Sequence, residues 1–177
     1  MRISILLAVA FVVISGVFFL NFSGLISITG MITGTTSVSV GTSATVSLPV
    51  STVAFGELNP GQFNDTTDNN PFPFVIQNDG NVNVNVTIGA DNLWTTQTNP
   101  STYFRFNSTE NETGSVVSTA TDLVAWTDMP TSPVNVVTRL KYPAANDAVN
   151  VHINITVPEE EGAGSKSSTV TFTASQA

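Results

Sequence analysis

The sequence has no cysteine, one histidine and few charges. Without cysteine there is no disulfide, no Cys-zinc site, no iron–sulfur cluster and no thiol nucleophile. A lipid anchor of the bacterial type, which needs a cysteine, is excluded as well. With a single histidine, His152, the usual nucleophile–base pairs are nearly excluded too. There is no G-x-S-x-G elbow and no S-x-x-K pair. Charged residues make up 10 % of the 177 positions, against a usual share of about a quarter. Solubility must therefore rest on Ser, Thr and Asn. The net charge of −8 makes the chain a poor partner for nucleic acid or anionic lipid. No cofactor is implied, and the sequence reads as a non-enzyme.

What is present begins with an apolar run, "ISILLAVAFVVISGVFFL", from Ile3 to Leu20. It carries no charge and no proline. As a helix it spans roughly 27 Å, close to the hydrocarbon thickness of a bilayer. "GLISITGMI" prolongs the apolar character to Ile32, and the next charge is Glu57. Arg2 precedes the run, so the positive-inside rule places the rest of the chain outside the cytoplasm. The run is longer than the apolar core of a signal peptide, and Ala8-Val9-Ala10 comes too early for a cleavage site. An uncleaved anchor and a cleaved signal both remain open. Residues 1–32 are expected to form the membrane or signal segment, and residues 33–177 an extracellular domain.

Beyond Ile32 the apolar period is two, the signature of strands. Val38 and Val40 alternate, as do Ala44, Val46, Leu48 and Val50. "PFPFVIQ" is denser and is expected to be buried on both faces. Val82, Val84, Val86 and Ile88 share one face, with Asn81, Asn83, Asn85 and Thr87 opposite. Further strands are expected at Tyr103–Phe106, Leu123–Trp126, Val134–Leu140, Val149–Val157 and Val170–Ala174. Turn formers separate them, among them Asn59-Pro60-Gly61, Asn78-Asp79-Gly80 and Gly162-Ala163-Gly164. About nine short strands with this punctuation predict an all-β fold, an Ig-like or jelly-roll β-sandwich preceded by one N-terminal transmembrane or signal helix. A core of this size suffices without disulfides. Trp94, Trp126 and the phenylalanines are expected to fill it.

The segments "FGELNPGQ", "FPFVIQNDGNVNVNVTI" and "ITVPEEEGAGSKSSTVTFTA" carry a resemblance. Together they resemble prokaryotic cell-surface Ig-like modules of the CARDB or alpha-galactosidase-associated type. The layout is also similar to membrane-anchored archaeal surface proteins and, more distantly, to camelysin-type biofilm fibre subunits. The resemblance covers Val53–Ile88 and Val149–Ala174; Thr95–Pro133 matches no module of these kinds. It implies adhesion, envelope or scaffolding roles and no catalytic residue.

The candidate sites are few. N-x-[ST] triplets start at Asn21, Asn64, Asn85, Asn107, Asn111 and Asn154. With this much Asn, Ser and Thr, chance alone gives on the order of four or five, so placement carries the argument. Asn64, Asn107 and Asn111 are expected in loops, Asn85 and Asn154 on outward strand faces, and Asn21 too near the membrane for use. Asp65 and Asp68 in "NDTTDNN" are candidate calcium ligands, as are Glu159, Glu160 and Glu161. Neither segment has the spacing of a calcium loop, and solvated loop acids are the simpler reading. His152 is expected to be a solvated strand histidine beside Asn150 and Asn154.

These features fit a glycosylated structural protein on the outer face of the membrane, in surface-layer support or adhesion. Its partners would be the membrane, other envelope proteins or glycans. An alternative is a filament subunit. Gly34–Leu48 is uncharged and strand-prone, and could add to a neighbour's sheet edge. The simpler reading makes that segment the first strand of its own domain. A glycan-binding module or enzyme is a further alternative.

Overall fold

The structure, a computed structural model, describes residues 37–177; the apolar run and the triplet at Asn21 lie outside the described residues. Nearly all of the regular structure is β. The strands are β1 (Val46–Val50), β2 (Phe63–Asp65), β3 (Phe74–Asn78), β4 (Val84–Ala90), β5 (Phe104–Glu110), β6 (Thr127–Asp128), β7 (Val134–Leu140), β8 (Ala148–Thr156) and β9 (Val170–Gln176). A single helical turn, α1 (Thr119–Asp122), precedes β6.

The strands form two antiparallel sheets, consistent with a β-sandwich. The larger runs β1-β3-β8-β5-β6, with β2 also pairing β8. The smaller runs β7-β4-β9. Alternation explains the core. On β8, Val149, Val151, Ile153 and Ile155 point inward and meet Phe104 and Phe106 of β5 and Phe74 and Ile76 of β3. From the small sheet, Val84, Val86 and Ile88 of β4 meet them with Val136, Val137 and Leu140 of β7. β-branched residues suit such pleated, closely packed surfaces.

Asn78-Asp79-Gly80 does not close a hairpin. β3 pairs with β1 and β8, whereas β4 pairs with β7 and β9. The turn carries the chain from one sheet to the other. Gly80 is required there because an added Cβ would stand 2.2 Å from the Ser43 carbonyl oxygen. Ser108 of β5 also joins the sheets. Its hydroxyl donates to the Val136 carbonyl and accepts from the Val124 N–H, both at 2.7 Å.

Several expectations are corrected. Val38 and Val40 lie outside any strand and are exposed; the first strand begins at Val46. "PFPFVIQ" is buried on one face only, through Phe74 and Ile76, while Val75 is half-buried and Phe72 is 65 % exposed. Leu123–Trp126 is not a strand. Leu123 makes an isolated bridge to Val137, and the strand starts at Thr127 because α1 uses the preceding residues. Trp94 is buried and donates its indole N–H to the Tyr103 carbonyl at 3.0 Å. Trp126 is only half-buried at the sheet margin, and Phe63 is 70 % exposed.

Candidate functional site

His152 lies on the outer face of β8, the central strand of the large sheet. Antiparallel register sets Asn107 of β5 directly opposite it, Thr109 opposite Asn150, and Arg105 opposite Asn154. From the other side Asp65 of β2 pairs with Asn154. Four strands thus assemble a polar patch around the sole histidine, closed at its margin by an Arg105–Asp128 ion pair of 3.1 Å.

The histidine is on the expected face but is not solvated; it is 8 % exposed. The cause is Thr66, which follows β2 and folds over the ring. Nδ1 lies 3.2 Å from both the Thr66 hydroxyl and the Thr66 carbonyl. A carbonyl only accepts, so Nδ1 carries the proton. Nε2 then pairs with the Thr109 hydroxyl at 2.9 Å. The Thr66 hydroxyl in turn accepts the Ile153 N–H at 3.0 Å. Both ring nitrogens are engaged, which makes His152 a rivet between β2, β5 and β8.

Asp65 and Asp68 cap turns. Asp65 Oδ1 accepts the Thr67 N–H at 2.8 Å and the Thr67 hydroxyl, and Asp68 Oδ1 accepts the Asn70 N–H at 2.9 Å. Burial raises the Asp65 carboxyl, but donation from Thr67 and Asn154 and the nearby His152 outweigh it and leave it below the ordinary value. Among the described residues no three His, Asp or Glu side chains are grouped to hold a metal ion.

Of the glutamates read as calcium candidates, Glu161 is committed elsewhere. Its carboxylate is buried and accepts the N–H groups of Thr95 and Thr96 at 3.0 Å each and their hydroxyls at 2.6 and 2.7 Å. It also pairs with Lys166. The Lys166 ammonium and the threonine donors hold the carboxyl far below the usual range. Glu161 thereby pins the loop after β4 to the loop before β9. A second clamp is Asp122, whose Oδ1 accepts from Arg139 at 2.6 and 2.9 Å and from the Thr138 hydroxyl at 2.9 Å. The pairing between β4 and β7 shifts register near this point, and Arg139 adopts φ +50°. Its N–H is held at 3.0 Å by Asn85 Oδ1.

The triplet asparagines divide differently from expectation. Asn64 and Asn107 are half-buried strand residues, not loop residues. β5 runs past Phe106 to Glu110 because Ser108 is drawn inward by the small sheet. Asn85 and Asn154 are on strands as expected, half-buried. Asn111 alone is exposed, beyond the end of β5, with Nδ2 donating to Asn150 Oδ1 at 2.8 Å.

The described residues also form a concavity with a volume of about 400 Å³. Its apolar wall is Phe55, Phe74, Leu93, Phe104, Ile153 and Ile155, and its rim holds Ser51, Thr52 and Lys166–Val170. It lies between the strap that follows β1 and the start of β9. Sequence reading missed this cavity, because it depends on two segments more than a hundred positions apart. The Glu161 clamp was missed because Thr95 and Thr96 carry no motif. Comparison with protein-family models, with curated proteins and with solved structures finds no match.

Proposed function

We propose that this is a non-enzymatic structural protein of the cell envelope, an Ig-like or jelly-roll sandwich held on the outer face of the membrane by its N-terminal apolar segment. Its role is surface-layer support or adhesion, and it carries N-linked sugar. The supporting observation is the use made of its reactive groups. His152, Asp122 and Glu161, which an active site would need free, are each closed into hydrogen bonds with their own chain. These polar rivets do what disulfides do in other small extracellular domains.

Intact mass of the native protein, taken with membrane fractionation, tests the reading. Retention of the N-terminal segment in the membrane fraction with added glycan mass is expected. A soluble, unmodified cytoplasmic protein would overturn it.

A second reading, a filament subunit growing by strand addition, is favoured by the sheet edges. β1 carries Pro49 and a register shift, β6 is two residues long and bears Asp128, and β7 is bridged by Leu123 and bears Arg139. β9, "VTFTASQ", has no charge and no proline, and among the described residues no strand pairs its outer side. Natural sheets seldom leave such an edge bare.

A further inference from the structure

We infer that the β9 edge and the adjoining cavity receive the segment Ser37–Val40 of a second copy of this chain. The inference rests on the filament reading and names its donor and acceptor.

The acceptor is an outermost strand with a cavity beside it. The small sheet has three strands facing a larger sheet, and β9 is its outermost. Ile153, Ile155, Phe104 and Phe74, buried inward residues of the large sheet, form the apolar wall of the cavity beside it, with Val53 and Phe55 of the strap. Phe172 of β9 covers only the near side, edge-on against Phe74 at 5.6 Å. A strand laid beside β9 would satisfy its free N–H and C=O groups and put alternate side chains over this wall.

The donor has the matching chemistry. Ser37-Val38-Ser39-Val40 alternates hydroxyl and apolar groups, so one edge-on strand presents both valines to one side. Val38 and Val40 are 87 % and 76 % exposed, an unusual state for two valines so close in sequence. The segment carries no charge to desolvate, and the β9 edge carries none to repel it.

The placement of the two parts favours a neighbour over self-insertion. Gly41–Thr45 runs beside the β3–β4 turn, where Ser43 accepts the Asn81 N–H at 3.0 Å and Thr45 accepts the Asp79 N–H at 3.1 Å. That is the end where β9 finishes, since Gln176 pairs with Val84. The cavity opens at the other end, where β9 begins at Val170. Donor root and acceptor mouth at opposite ends make a head-to-tail contact, which does not close on itself and propagates.

The absence of native cysteine makes the test direct. Full-length Ser39→Cys protein is mixed with full-length Thr171→Cys, Thr173→Cys or Ser175→Cys protein, oxidised, and run without reductant. A heterodimer with one β9 position and not with a control cysteine at Asn92 is expected. In parallel, Val38→Asp with Val40→Asp should lower the polymer fraction by more than about tenfold, while Val38→Ile with Val40→Ile should preserve it. These substitutions lie outside the folded strands, so the melting temperature of the body should not move. If the aspartate variant polymerises like the wild type, or no mixed disulfide forms, the docking is overturned while the filament reading stands. If a chain carrying both Ser39→Cys and the responsive β9 cysteine cross-links only within itself, the occupant is the chain's own arm and the proposal fails. If the wild type forms no polymer at any concentration, both fall.

Discussion

Asn78 Nδ2 stands 3.1 Å from the Leu140 carbonyl oxygen, and this one bond ties the large sheet to the small one. The same amide donates to the Val82 carbonyl at 3.0 Å, and its Oδ1 accepts the Gly80 N–H at 3.0 Å. Asn78 is 1 % exposed and uses all of this capacity in the interior. Asn78→Ala would strand two buried carbonyls and an N–H. The expected loss is about 2–4 kcal/mol. Asn78→Asp should cost more, because an acceptor would then face two carbonyls. Urea unfolding of the three proteins measures the order, and an alanine variant as stable as the wild type would show that the bond to Leu140 contributes little.

How much of this was readable beforehand depended on the kind of signal. Period-two alternation located β4, β8 and β9 closely, because apolar and polar residues alternate along each; β7 was bounded as expected although Val136 and Val137 are both buried and Val134 is exposed. The inward valines of β8 and the outward Asn85 followed from the same rule. Alternation failed where a side chain had a third option. His152 sits on the polar face yet is buried, since Thr66 arrives from a distant strand to cover it. Leu123–Trp126 looked like a strand, but Asp122 accepting from Ser118 and Arg139 organises that segment as a turn instead. Nor does "NDG" reveal whether the turn joins two strands of one sheet or crosses between sheets. That is decided by partners far away in the chain. The cavity and the bare edge are topological facts with no local signature.

The Asp122–Arg139 clamp should make stability acid-sensitive. Burial raises the Asp122 carboxyl, but the Arg139 guanidinium, the Ser118 N–H and the Thr138 hydroxyl overcome this, and the net displacement is downward. A depressed carboxyl contributes stability that is fully present above its unfolded value and is lost as pH falls through its folded one. Asp122→Asn should therefore cost about 2 kcal/mol near neutrality, with Arg139 half-exposed and still hydrated. The difference between variant and wild type should shrink below the ordinary carboxylate range. Thermal melts from neutral pH to strong acid would show it; a difference constant with pH would mean that packing, not charge, is what Asp122 supplies.

Asp147 should behave in the opposite sense. It is 3 % exposed, its Oδ1 has no hydrogen-bond partner, and Glu112 lies beside it, with Oε2 on the Asp147 N–H at 2.7 Å. Burial, then the Glu112 charge, push its carboxyl above the ordinary value despite donation from Gln77. A raised carboxyl favours the fold below its unfolded value, and that contribution is lost as pH rises through the folded one. Asp147→Asn should thus raise the melting temperature at neutral pH and have little effect in acid. A variant that melts lower than the wild type at neutral pH would show that donation from Gln77 outweighs burial and the Glu112 charge.

Sugar addition should be selective among the five triplets of the described residues. A transferase must reach the amide nitrogen and thread the flanking backbone through its own site, which a paired strand resists. Asn64, Asn85, Asn107 and Asn154 are half-buried in strands, and Asn107 Oδ1 is fully enclosed. Asn111 is exposed just beyond the last residue of β5. Its side chain is tied by the bond to Asn150 on the surface, which a sugar on Nδ2 would replace at little cost. Glycopeptide mass spectrometry of native protein should find Asn111 the most fully occupied site. Asn111→Gln should remove most of the added mass without changing the melting temperature by more than about 2 °C. Full occupancy at Asn107 with an empty Asn111 would mean that modification precedes folding, because the folded sheet leaves no room for sugar beside His152.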